Sequence, residues 1–218
     1  MARVTWGRLL SLAREVIAGL RALSDWMARR GIYECYDDGA AVCDPEASWC
    51  RYIGGGMRVG GALLFQSAPA GMCCVAYGSG DRLAVDSSGI MKMYERGEVV
   101  VAAELGSAPA WDTVYVMAGR FGEGAWPAYL GLAMDGSAYA CEDLPPNAYC
   151  RLRGEPSIDE EPDLRRLFRG FPDFAPVEVE RLPSWLEEAS RVLRKARASC
   201  AEGERKARRL LVWLRAGP

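Results

Sequence analysis

Two stretches of the chain, one at each end, place apolar or small residues at alternating steps of three and four. That spacing keeps one helix face against a neighbour. At the C-terminal end the series reads Leu186, Ala189, Leu193, Ala196, Cys200, Gly203, Ala207, Leu210, Leu214, a seam sustained over about four heptads. Its middle is Ala, Cys and Gly, which lets backbones approach but buries little area, so partner contacts are expected to be strongest at its two ends. Ser184, three residues before Glu187, predicts a capping box, with Pro183 just ahead and Gly217-Pro218 closing the stretch. At the N-terminal end Trp6, Leu9, Ala13, Val16, Leu20, Leu23 and Met27 repeat the geometry, and Leu10 and Ile17 widen the stripe. Arg8, Arg14, Arg21, Arg29 and Arg30 lie off it, and Gly31 is a natural stop. The two helices are expected to pair with each other as an antiparallel hairpin, or either of them with a second subunit.

Between them the period changes. Residues 52–149 are rich in Gly, Val, Ala and Tyr with regular turn signals, which reads as an antiparallel meander. Strands are predicted near 60–67, 71–77, 82–86, 90–95, 98–105, 113–120, 128–134 and 137–142. The turns fall at Gly78-Ser79-Gly80, Arg96-Gly97 and Asp135-Gly136, the last being the strongest two-residue signal. Residues 32–49 read as a Cys- and Asp-containing connection of weak periodicity. Residues 151–183 read as an acidic, proline-rich tether with a short helix at 162–169 capped by Ser157 and Glu160, whose Phe168, Phe171 and Phe174 dock on the sheet. The fold class is α+β: an antiparallel β-sheet, barrel-like, sandwich-like or covered by a terminal helix, flanked by an N-terminal amphipathic helix and a long C-terminal heptad-bearing helix. The segments are 1–30, 31–150, 151–183 and 184–218.

Charge sharpens this division. The net −2 hides +4 over 1–30, −9 over 31–150, −2 over 151–183 and +5 over 184–218. Histidine is absent from the sequence, which removes Ser-His-Asp and Cys-His nucleophile pairs, His-ligated zinc or haem and His acid-base catalysis. The N-terminal stripe is interrupted by charge and has no signal-peptide core, and no window is apolar enough to span a bilayer, so a cytoplasmic protein with no membrane partner is expected. A single Asn (Asn147), a single Gln (Gln66) and Arg outnumbering Lys 24 to 3 resemble the composition of hyperthermophile proteins, in which intracellular disulfides occur.

Disulfides are therefore expected among Cys35, Cys43, Cys50, Cys141 and Cys150. Their spacing lacks the short C-x2-4-C knuckles of zinc sites, so no metal is assigned. Cys200 sits in the seam as a small core residue or as a cross-link between copies. The run Gly54 to Gly61 lacks the Lys-Ser/Thr of a phosphate loop and precedes a strand, not a helix. No cofactor is implied. Asp86, Glu104 and Asp112 are acids at strand ends, the only candidates for a metal-dependent nuclease-like enzyme, although Asp86 reads better as capping its own turn. Arg191, Arg194, Lys195, Arg205, Arg208 and Arg209 give the last helix a positive face suited to phosphates. The leading expectation is a non-enzymatic assembly or adaptor protein that meets itself or a protein partner through Leu186, Ala189, Leu193, Ala196, Cys200, Ala207, Leu210 and Leu214. Nucleic-acid binding through the basic terminal helices is the alternative, and the nuclease the third reading; no catalytic residue is assigned.

Overall fold

The computed structural model describes residues 3–29, 83–86, 88–106, 111–145, 148–196 and 198 with their side chains, and the backbone of four further strands at 32–36, 39–44, 49–54 and 63–66. The N-terminal stripe forms helix α1 (Trp6–Ala28). Thr5 caps it from extended backbone by accepting a hydrogen bond from the Arg8 amide, and every residue of the stripe is buried.

After α1 come β1 (Ile32–Tyr36), β2 (Gly39–Asp44), β3 (Trp49–Gly54), β4 (Leu63–Gln66), β5 (Leu83–Asp86), β6 (Ile90–Glu95), β7 (Glu98–Glu104), β8 (Thr113–Phe121), β9 (Trp126–Ala133), β10 (Ala138–Cys141) and β11 (Cys150–Gly154). From β5 to β11 they form a seven-stranded antiparallel meander in which neighbours in sequence are neighbours in space. The backbone of β1 adds to the β5 edge, followed by β2, β3 and β4. The sheet is open, with β11 and β4 at its two ends among the described strands. It is thus the helix-covered sheet, and neither barrel nor sandwich closure is seen. Strands also occupy part of 32–49, where weak periodicity gave a connection. Cys43 and Cys50 are direct register partners there, but the Cys35, Cys43 and Cys50 side chains lie outside the described residues, as does the strand expected at 71–77.

The turns differ from expectation in one respect. Arg96-Gly97 is the tight turn with positive φ at both positions, 54° and 82°. At Asp135-Gly136 only glycine is left-handed, and the loop is three residues, 134–136, with the Gly136 amide donating to Ala133 O and the Ala133 amide to Ser137 O. Asp135 stays right of that region because its carboxylate accepts from the Ser137 amide and hydroxyl, holding the loop from its side chain.

Cross-strand partners share a face. Leu83, Met93, Val101, Val116, Leu130 and Ala140 form one row, and Val85, Met91, Ala103, Val114, Leu132 and Ala138 the next. No member of either row is more than 3% exposed. α1 crosses β5, β7, β8 and β9 on this side, and its Trp6 lines the same cleft as Ala138.

Beyond β11 the chain folds back. Helix α2 (Leu164–Leu167) is capped by Asp163, which accepts from the Arg166 amide, and not by Ser157 and Glu160 as expected. The expected phenylalanine docking is seen: Phe168 stacks on Phe174 at 4.5 Å, and Phe171 meets Phe121 of β8 edge-on at 5.3 Å. Strand β12 (Ala175–Pro176) then pairs with β8 at Arg120 and Gly119. A Cβ at Gly119 would stand 2.7 Å from the Phe174 ring, so only glycine admits this crossing.

A third helix, α3 (181–196), follows. It begins before the expected capping box, with Pro183 in its first turn, where the missing N–H has no intrahelical acceptor to lose. Ser184 lies inside the helix and donates to Glu180 O, and Glu187 pairs with Arg8 at 2.9 Å instead of reaching back to Ser184. α1 and α3 do pair within the chain, but in parallel. Glu187 meets Arg8, Ser190 donates to Glu15 at 3.3 Å, and a Cβ on Gly19 would lie 3.3 Å from Leu193. The antiparallel expectation fails because the tether and β12 carry the chain back to the start of α1 before α3 begins. There the Trp6 and Gly7 amides donate to Glu160 O and Ile158 O.

Candidate functional site

The C-terminal seam divides at the limit of the described residues. Leu186, Ala189, Leu193 and Ala196 are all 3% exposed or less, covered by their own chain. Cys200, Ala207, Leu210 and Leu214 lie outside the described residues. The basic face divides too. Arg191 is engaged by Glu188 one turn back, and Arg194 stands 3.9 Å from Glu15 of α1, so these two guanidiniums already face carboxylates. Lys195 is exposed, and Arg205, Arg208 and Arg209 are outside the described residues.

Of the five candidate cysteines, Cys141 and Cys150 form a disulfide between directly opposed positions of β10 and β11. It ties the last strand of the sheet to its neighbour. Asp86 does cap its own turn, accepting from the Ser88 hydroxyl at 2.6 Å and the Ile90 amide at 3.0 Å. Asp112 pairs with Arg21 and accepts from the Gly106 amide. Glu104 has its carboxyl held above the usual range by burial, with the Asp86 charge adding to it. The three acids share one end of the sheet without converging: among the described residues no three His, Cys, Asp or Glu side chains stand close enough to hold a metal ion. No helix among them is long and apolar enough to cross a membrane.

On the sheet face away from α1, Lys92, Ala102, Tyr115, Gly131 and Tyr139 form a row, and Ile90, Glu104, Thr113 and Ala133 the next. Burial pushes the Tyr115 hydroxyl up to about 12, helped by the neighbouring Glu104 charge, and Tyr129 up to about 12 with Glu98 adding to it. Tyr129 donates to Val99 O at 3.2 Å. These phenols are held neutral and structural.

A recess among the described residues is large enough to take a ligand. It lies where the start of α1, β10, the end of β11 and α2 meet, with a volume of about 640 Å³. Arg153 reaches it from β11, Arg166 from α2 and Arg169 from the turn after α2, with Glu155 and Glu160 from the segment between and Trp6 from α1. Sequence reasoning missed it. Arg151-Leu152-Arg153-Gly154 reads as the start of the tether and not as a strand, and the one hint is a second cluster of arginines at 165–169 in that otherwise acidic segment. Comparison with models of known protein families, with curated proteins and with solved structures finds no match.

Proposed function

We propose that this protein is a non-enzymatic assembly or adaptor protein that associates with a second copy of itself through the distal half of its C-terminal seam. The observation that supports this is the register between α1 and α3. Leu193 packs against Gly19, and α1 ends at Ala28, nine residues on. The heptad spacing of the sequence runs on past Leu193 through Ala207, Leu210 and Leu214. A helix kept to that spacing would outrun α1, so a further helix face would be needed to cover its seam. Charge favours a second copy: the +5 of residues 184–218 complements the −9 of residues 31–150 on a neighbour.

The register also decides which variant tests the idea. Leu193 is buried inside its own chain, so Leu193→Asp reports on folding and not on assembly. Leu210→Asp combined with Leu214→Asp is the informative change. Light scattering after size exclusion should show wild type above the monomer mass, and the double variant should be monomeric with an unchanged thermal midpoint. A monomeric wild type, or a variant still assembled, ends this reading.

A further inference from the structure

We propose that the recess between the start of α1, the end of β11 and α2 is a binding site for a small molecule carrying a phosphate or carboxylate, with hydroxyl or amine groups elsewhere on it. This stands independently of self-association. The register of β10 on β11 jumps from Ala138 opposite Gly154 to Tyr139 opposite Leu152, which leaves Arg153 as the extra residue of a bulge. A bulge re-aims the side chain it carries, and Arg153 points into the recess. One arm of its guanidinium donates to Arg169 O at 3.3 Å, while its Nε is enclosed without an acceptor.

Charge pairing elsewhere in the molecule makes the recess stand out. Eight described arginines hold a carboxylate within ion-pair distance: Arg3, Arg8, Arg21, Arg120, Arg151, Arg181, Arg191 and Arg194. Arg14, Arg29, Arg96 and Arg165 hold none, and they stand exposed and outside this recess. Arg153, Arg166 and Arg169 share one cleft and none is ion-paired there, although acids line the same space. Of those acids only Glu161 is paired with an arginine, Arg3, while Asp163 caps the Arg166 amide with one oxygen and keeps its charge. Three guanidiniums therefore share the cleft with Glu155, Glu160 and Asp163, and none of these carboxylates stands within ion-pair distance of them. Planar guanidinium forks match the oxygens of phosphate or carboxylate. Glu155 and Glu160 are acceptors for donor groups on the rest of the ligand, and the Trp6 ring gives it an apolar wall. The volume lies within the range of small-molecule pockets.

Calorimetric titration of the intact chain at low salt tests this with three probes: inorganic phosphate, glucose 6-phosphate and citrate. Glucose 6-phosphate or citrate should bind, and whichever binds tighter assigns the oxyanion as phosphate or carboxylate. Arg166→Gln with Arg169→Gln, both exposed positions, should weaken that binding at least about tenfold, equivalent to ~1.4 kcal/mol, without moving the thermal midpoint. Glu155→Gln with Glu160→Gln should weaken glucose 6-phosphate while leaving inorganic phosphate unchanged or tighter. No binding of any probe at about 10 mM, or affinities untouched by the double arginine change, overturns the proposal.

Discussion

The two faces of the central sheet are built from the same strands yet obey different rules. Toward α1, two rows of aliphatic side chains from Leu83 to Ala140 are sealed from water. On the far side, Lys92, Glu104, Thr113, Tyr115 and Tyr139 interrupt the small residues Ala102, Gly131 and Ala133. The first face is held by apolar burial, which has no direction and tolerates no charge. The second depends on where each polar head finds its partner: Tyr129 on Val99 O, and Glu104 with its carboxyl raised above the usual range by burial and by the Asp86 charge. β7, β8 and β9 are buried on both faces, which is why their sequences run almost unbroken in apolar residues where β6 alternates.

The largest effect that separates the faces comes from placing one charge on each. Val116→Asp puts a carboxylate among fully buried aliphatic groups, with no donor to meet it. It should cost more than about 4 kcal/mol and leave no cooperative thermal transition by circular dichroism. Lys92→Glu lies on the same sheet but at a half-buried position of the far face, and should change stability by about 1 kcal/mol or less. Equal losses from the two would mean that both faces are sealed alike.

A smaller effect concerns how the far edge is held. Among the described strands β11 has a neighbour on one side only, and the Cys141–Cys150 bond ties it to that neighbour. Closing so short a loop limits the unfolded chain by about 2.5 kcal/mol on the loop-entropy account. Cys141→Ser with Cys150→Ser should lower stability by that order in a chemical denaturation measured without reductant, and reductant should abolish the difference from wild type. Because β11 carries Arg153, the same variant should also weaken whatever the recess binds.

Much of this architecture was legible in the chain. The α1 stripe was, because a wide apolar face at helical period has one physical solution, and the strands from 83 to 141 were, because apolar runs of strand length there are bounded by clear turns. Helix direction was not: an amphipathic stripe at Leu186, Ala189 and Leu193 says that a neighbour exists, and is silent on whether it runs parallel. Nor was the start of α3, since Ser184 and Glu187 satisfy a local capping rule that loses to Pro183 in the first turn and to the Arg8 pair. The arginine recess is the least legible of all. It depends on a one-residue slip between β10 and β11, and on α2 arriving beside it from ten residues further along, and neither leaves a local signature around Arg153.

The finest test of the comparison uses pH. Glu104 titrates above its usual value of 4.5, with burial as the larger cause and Asp86 as the smaller. A carboxyl raised by folding binds its proton more tightly in the native state than in the unfolded chain. Stability from this group is therefore greatest below the unfolded value and falls as pH rises through the folded one, the reverse of a salt-bridged acid. Glu104→Gln keeps the shape and removes the charge. It should stabilise the protein by a few tenths of a kcal/mol at about pH 7, since the carboxyl is only partly buried and solvent screens it, and the gain should vanish as pH falls below about 4. Asp86→Asn removes the second cause but also the turn cap to Ser88 and Ile90, so it should destabilise despite lowering the Glu104 pKa. If Glu104→Gln instead destabilises at neutral pH, the carboxylate has a donor that outweighs its burial, and the far face is held by paired charge where we describe a tolerated one.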